Sequence, residues 1–449
     1  MAPTLAMSTT GAQAAHELGR AAPLAYVLAA AGIAFVAYGF VRLAGHFAHA
    51  GSVYAFVGNT LGPRSGFVAG WALLGTYIVF PPVSMLAVAV FGQAFLKSTG
   101  IAAHPDWLPI ALGAWALIWI LASRDIGLAM RSLLGLEAVS VLAIVILVVV
   151  IYVRLAAGDA PRHQDLNLNF VRLPHGTTFA TVALAGTIGF LSFAGFESAG
   201  SLGEESERPT RAIPRSIVFA VAFGAVFYIF CMVAQTLGFG TGPAGVRAFS
   251  ESQAPLGDLA HSYLGSGMAD VLDVAAMLSA IGAALGGVAV GARMLFSFAR
   301  DGLAARQLGE LSPRTAEPAR SLAVIMLLAL AALVSFGAAG TAPLDAFFYL
   351  ATIGVLSLLF MYILTNVGAI RLLAQAVDTS RWEIALPLCG ILVAGYTLYR
   401  NLIPVPPSPF DVFPYVVAVW LLLGLAAAIL LPGFAGRVAA GLARQRKSV

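Results

Sequence analysis

Eleven apolar runs, most of them long enough to cross a bilayer, follow one another with only short polar breaks, a pattern no soluble fold can bury. They cover about 23–41, 66–96, 107–123, 133–153, 177–202, 214–240, 268–299, 320–339, 344–370, 384–402 and 412–432. A partial segment at about 1–18 precedes them, too short and too polar to cross alone. Of 449 residues, 60% are hydrophobic and only 10% charged, so the chain is expected to be an all-α polytopic membrane protein. The formal net charge of +4 would suggest nucleic acid in a soluble chain. In a membrane protein, however, loop lysines and arginines follow from topology alone. No nucleic-acid motif, zinc spacing or phosphate-binding loop occurs, so neither a nucleic-acid partner nor a cofactor is expected. Cys231 and Cys389 both lie in apolar runs and read as buried thiols rather than a disulfide.

Charge sets the orientation. Counting the first segment as a span, the loops after every even-numbered span and the C-terminal tail carry 17 lysines and arginines, and the opposite loops carry 6. The bias places the C-terminus in the cytoplasm and the chain in the cytoplasmic membrane.

One run is interrupted. FLSFAGFESAGSLGEESERPTRAIPR, residues 190–215, begins as an apolar helix, meets Gly195 beside Glu197, and leaves through Gly203-Glu204-Glu205 and a run of arginines. A carboxylate at bilayer depth is costly unless it faces protein or water, and a neighbouring glycine lets the helix break and offer bare backbone groups. A broken helix with a carboxylate at that depth points to a transport site.

The chain also carries signs of an internal repeat. The runs 66–96 and 268–299 are unusually long, and each follows a short segment with a Leu-Gly pair, YAFVGNTLGPRSG (54–66) and LAHSYLGSG (259–267). They stand five spans apart, and an odd offset makes the second copy inverted. The same offset pairs Ser8-Thr9-Thr10-Gly11 with Phe193-Ala194-Gly195-Phe196. Two interruptions in matching positions are the pattern of a substrate site shared between repeats.

On three motifs the sequence resembles the amino acid–polyamine–organocation (APC) permeases of LeuT-like fold. These are FAGFESAGSLGEESERPTRAIPRSI (193–217), GARMLFSFARDGLAAR (291–306) and, more weakly, AGSVYAFVGNTLGPRSGFVAGW (50–71). The resemblance covers nearly the whole chain. It implies two inverted five-helix repeats and two further helices, here 1–155, 176–371 and 372–449, the last with the basic tail. In that family a full half-helix precedes the unwound centre of the first helix, whereas Met1 stands about seven residues before it. The first helix therefore reads as truncated at its N-terminus, with a misplaced start as the favoured explanation.

The resemblance also implies roles. Ser8, Thr9, Thr10 and Gly11 are expected to form the unwound part of the first helix and to hold a substrate carboxylate on free N–H groups. Phe193, Ala194, Gly195 and Phe196 are expected to form the matching break, with carbonyls for the ammonium and an aromatic cover. Frayed or packed helix ends are the plainer readings of both. Glu197 is the expected gating and coupling residue, or else a structural carboxylate accepting N–H bonds beside the break. Phe347, Phe348 and Tyr349 could close an outer gate or form an interfacial aromatic belt. Glu204, Glu205 and Arg208 read as a cytoplasmic lock or a solvated network, and Arg300-Asp301-Gly302 as a fold marker. Glu137 and Ser140 occupy the region where some proton-coupled relatives carry a lysine, and Ser279 is a loosely placed candidate for a sodium ligand.

The function expected is secondary active transport of an amino acid or small amine by alternating access, coupled to H+ or Na+, with a proton through Glu197 preferred. The alternative is a membrane sensor or transport-inactive relative that binds the same ligand. No catalytic constellation supports an enzyme, and the spans are too poor in charge for a channel.

Overall fold

The computed structural model describes residues 2–47, 52–124, 126–162, 164–174, 176–202, 206–312, 317–376, 380–430, 433 and 435–439. Most of them are helical, and no strand occurs among the described residues. In chain order the α-helices are α1 (Pro3–Leu18), α2 (Ala22–Ala44), α3 (Val53–Leu61), α4 (Pro63–Ser98), α5 (Trp107–Ala122) and α6 (Ile126–Ala157). They continue as α7 (Phe179–Phe193), α8 (Pro209–Phe239), α9 (Pro243–Ser250), α10 (Pro255–Leu264) and α11 (Ser266–Arg300). The last four are α12 (Ala319–Ala338), α13 (Pro343–Gln375), α14 (Ala385–Arg400) and α15 (Phe413–Leu430). Among the described residues nine helical stretches are long and apolar enough to cross a membrane, Pro3–Ala44 counting as one. The chain is thus a multi-pass, all-α membrane protein.

Local chemistry sets the helix starts. Proline, whose missing N–H costs nothing in a first turn, opens α1, α4, α8, α9, α10 and α13. Asp106 caps α5 by accepting from the Leu108 N–H at 3.1 Å, and Thr178 caps α7 through the Thr181 N–H.

The centre of the molecule is α4 with α11 and α13 packed on it, while α2 packs against α8, α7 and α14. At 36 residues α4 spans about 54 Å, far more than the ~30 Å apolar core of a bilayer, so it tilts or protrudes. Pro81 and Pro82 lie inside it and remove two helical N–H donors. The carbonyl of Tyr77, one turn earlier, loses its partner there, and Gly291 of α11 lies against that oxygen.

The two long helices are entered alike. The short helix α3 runs into α4 through Gly62 (φ 104°, ψ 165°), and α10 runs into α11 through Gly265 (φ 95°, ψ 173°). Both conformations lie where a side chain would be strained, so the Leu-Gly pairs seen in the sequence are the joints. The Tyr54 hydroxyl of α3 donates to Asp301, just past α11, at 2.7 Å. Burial and the nearby Asp301 charge push the Tyr54 phenol up, so it remains a donor.

The last helix is fastened by a reciprocal clasp. The Trp71 and Trp420 rings stack at 4.2 Å with 11° between planes. Each indole N–H donates to the other residue's backbone carbonyl, at 2.8 and 3.0 Å. Each tryptophan has a glycine four residues on, Gly75 and Gly424, and a Cβ on either would fall 2.5 or 2.3 Å from the opposing indole. The same W-x-x-x-G pattern on α4 and α15 thus forms both halves of one contact.

Candidate functional site

The run 177–202 is broken as its glycine foretold. Helix α7 ends at Phe193, Gly195 adopts φ 106°, and a 3-10 turn follows over Phe196–Leu202. Only glycine takes that φ without strain, and Ala194 and Gly195 present a narrow strip of backbone at the break.

Glu197 is fully buried immediately beyond the break. Its carboxylate accepts the Gly195 N–H at 3.1 and 3.0 Å, the Tyr77 hydroxyl of α4 at 2.9 Å and the Tyr362 hydroxyl of α13 at 3.1 Å. One side chain therefore ties the broken helix to two of the three central helices. Charge-assisted bonds from three donors are the arrangement that makes a buried carboxylate tolerable.

Beside the break lies a cavity of about 230 Å3. It is walled by α1, α4, α6, α7 with the turn after it, α11 and the first turns of α13. Leu5, Phe80, Val83, Leu134, Leu191 and Phe347 give it an apolar lining. Polar atoms come from Thr9, Thr10, Tyr77, Ser84, Ser192, Ser198 and Ser279, and among the described residues Glu137 is the one carboxylate in the wall. Glu137 accepts the Thr4 N–H at 3.0 Å, and Ser279 Oγ accepts the Leu5 N–H at 3.1 Å, so α6 and α11 together hold the start of α1.

Four expectations need correction. Residues 8–11 are not unwound: α1 is continuous from Pro3 to Leu18. The Thr9 and Thr10 hydroxyls are accommodated within the helix, donating to the Leu5 and Ala6 carbonyls at 2.9 and 2.6 Å, so they do not compete for the backbone N–H groups. Thr9 and Thr10 reach the cavity, whereas Ser8 is buried elsewhere and Gly11 abuts α8, where an added Cβ would fall 2.6 Å from Gln235 Oε1 and 3.3 Å from Met232 Sδ. Of the four residues at the break, Ala194 and Gly195 line the cavity; Phe193 packs edge-on against Tyr228, and Phe196 packs edge-on against Phe40 and stacks on Tyr362. The aromatic rings in the cavity wall are instead those of Tyr77, Phe80 and Phe347. Lastly, Phe347 and Tyr349 do not face the cavity together, because residues two apart on a helix point nearly opposite ways. Tyr349 packs on Phe410 and Phe413, away from the cavity.

Ser140 donates to the Leu136 carbonyl of its own helix and does not reach the cavity. Arg208 is exposed at the start of α8, while Glu204 and Glu205 lie outside the described residues. Tyr77, Tyr362, Phe80, Ser84, Ser192 and Ser198 were not singled out from the sequence. The Pro81-Pro82 pair, rare inside a spanning helix, was the available signal for those on α4.

A family profile described as amino acid permease matches residues 4–401. The chain is 26% identical to the branched-chain amino acid permease BcaP of Bacillus subtilis, over 84% of this chain and 78% of that one. It is 24% identical to the low-affinity putrescine importer PlaP of Escherichia coli, over 85% and 80%. A shorter match, 30% identical over 44% of each chain, is to the L-methionine/branched-chain amino acid exporter YjeH of Escherichia coli. With a profile that covers most of its length and takes in nearly all of α1, the broken helix and every described cavity-lining residue but Ala2, this chain belongs to the amino acid permease family, within the APC superfamily.

Proposed function

We propose that the chain is a secondary transporter that carries an amino acid or small amine across the cytoplasmic membrane by alternating access. The observation that carries this reading is the cavity at a broken helix, walled by long helices and sized for a small organic solute. The substrates named for BcaP and PlaP, branched-chain amino acids and putrescine, bracket the same size range. In this reading α1, α7 and the turn after it move against α4, α11 and α13, within two inverted repeats at 1–155 and 176–371, and the C-terminal tail stays in the cytoplasm.

Glu197 is the latch of that motion. Its charge gathers donors from α4 and α13 onto the broken helix. A proton on it would remove the charge that holds them and loosen the latch, which couples movement to a proton gradient. Uptake of a labelled panel of amino acids and amines into proteoliposomes tests the reading. Accumulation against a gradient is expected; binding without accumulation would instead identify a sensor. Replacing Glu197 by Gln is expected to abolish the pH dependence of uptake, and an unchanged pH profile would remove the proton latch.

A further inference from the structure

We propose that the start of α8 is a docking site for one anionic phospholipid, its headgroup held by Arg208, Arg211 and Arg215 and an acyl chain laid along the apolar face that follows. Arg208 stands just before the helix, Arg211 and Arg215 lie one turn apart on it, and all three are exposed. In an α-helix, positions three or four apart share a face. Such steps carry the face of Arg211 and Arg215 on through Phe219, Ala222, Val226 and Phe230, all of them exposed. Phe219 is 71% and Val226 73% exposed, and Phe223 beside them stacks on Phe219 at 6.1 Å. From Arg215 to Val226 the helix rises about 17 Å, close to half of the ~30 Å apolar core of a bilayer. The guanidinium groups therefore stand at the head of a column about as long as one acyl chain.

Loop arginines alone would follow from topology, which fixes the sign of a loop but not its alignment with a lipid-facing column. What sets these three apart is that the protein does not answer their charge. Elsewhere in the loops assigned to the same side, Arg42 pairs with Glu383 at 3.4 Å and Arg320 with Glu310 at 2.7 Å. Among the described residues no ion pair or side-chain hydrogen bond engages Arg208, Arg211 or Arg215. Glu207 is the one carboxylate between residues 206 and 219, so three arginines less one glutamate leave a local charge of +2.

That chemistry fits a phosphate with no cation of its own. A guanidinium donates two parallel bonds to phosphate oxygens, while its stem lies along apolar surface below the headgroup level. Phosphatidylglycerol presents such a phosphate; in phosphatidylcholine the choline cancels the charge and meets the arginines as a like charge. The tail contact selects nothing by itself, since any spanning helix offers one, so the preference belongs to the headgroup.

Each arginine near an anionic membrane surface is worth about fivefold in binding, so a local charge of +2 predicts a preference of about twenty-five-fold. Native mass spectrometry of the detergent-purified full chain, titrated with phosphatidylglycerol or with phosphatidylcholine of the same acyl chains, reads that ratio. Arg208→Gln, Arg211→Gln and Arg215→Gln together are expected to abolish the preference and, all three being exposed, to leave the melting temperature unchanged. Equal affinity of the wild-type chain for the two lipids overturns the inference, as does a folded triple variant that keeps the preference. If the triple variant does not fold, the wild-type comparison decides alone. Inorganic phosphate that displaces phosphatidylglycerol at matched concentration also overturns it, because a site for the bare ion needs no acyl chain. None of these readouts involves uptake, so the transport reading stands or falls separately.

Discussion

Glu197 and Gly195 show how much one residue can fix. Glycine at φ 106° lets the chain turn within two residues, so that the Glu197 carboxylate folds back on the Gly195 N–H and still meets Tyr77 and Tyr362. Gly195→Ala should cost about 1–3 kcal/mol of strain and, by shifting the carboxylate, eliminate uptake. Thermal unfolding and proteoliposome uptake on the same preparation measure both effects. Tyr77→Phe and Tyr362→Phe should each cost about 1.5–3 kcal/mol, the range for a bond to a charged group, with coupling between them. A double-mutant cycle in thermal stability reads that coupling, and strict additivity would show that the two hydroxyls do not share one carboxylate. The glycine and the carboxylate were legible because both are anomalies in an apolar run. Their partners were not, since Tyr77 stands 120 residues before Glu197 and Tyr362 165 after it, each unexceptional in its own helix.

Among the elements, hydropathy located the spans well, because a helix that must satisfy its own backbone in lipid announces itself by length. Interruptions were harder. The run 177–202 broke at Gly195, as expected, whereas Ser8–Gly11 stayed helical. Small polar residues permit a break without requiring one, and Thr9 and Thr10 close their own bonds to carbonyls a turn back. The joints at Gly62 and Gly265 show the opposite case, where a Leu-Gly pair marked a real corner in both places. Helix α15 depends on its clasp. Gly424→Leu would drive a side chain into the Trp71 indole, and a loss of about 1–3 kcal/mol is expected from such overpacking. A melting temperature equal to the wild type's would mean that α15 is held by something else.

For the molecule as a whole, orientation is a further prediction. The 17-to-6 distribution of lysine and arginine places the loop with exposed Arg306 in the cytoplasm and that with exposed Asp159 outside. In intact cells a membrane-impermeant maleimide should label Asp159→Cys and spare Arg306→Cys; the reverse pattern would invert the topology. The indole clasp also gives the protein an optical signature of its own. Two rings stacked at 4.2 Å share their electronic transitions, so the near-ultraviolet circular dichroism should carry a coupled band that neither tryptophan produces alone. Trp420→Phe should remove that band, which makes seating of the final helix visible in an unlabelled chain, in detergent or in lipid.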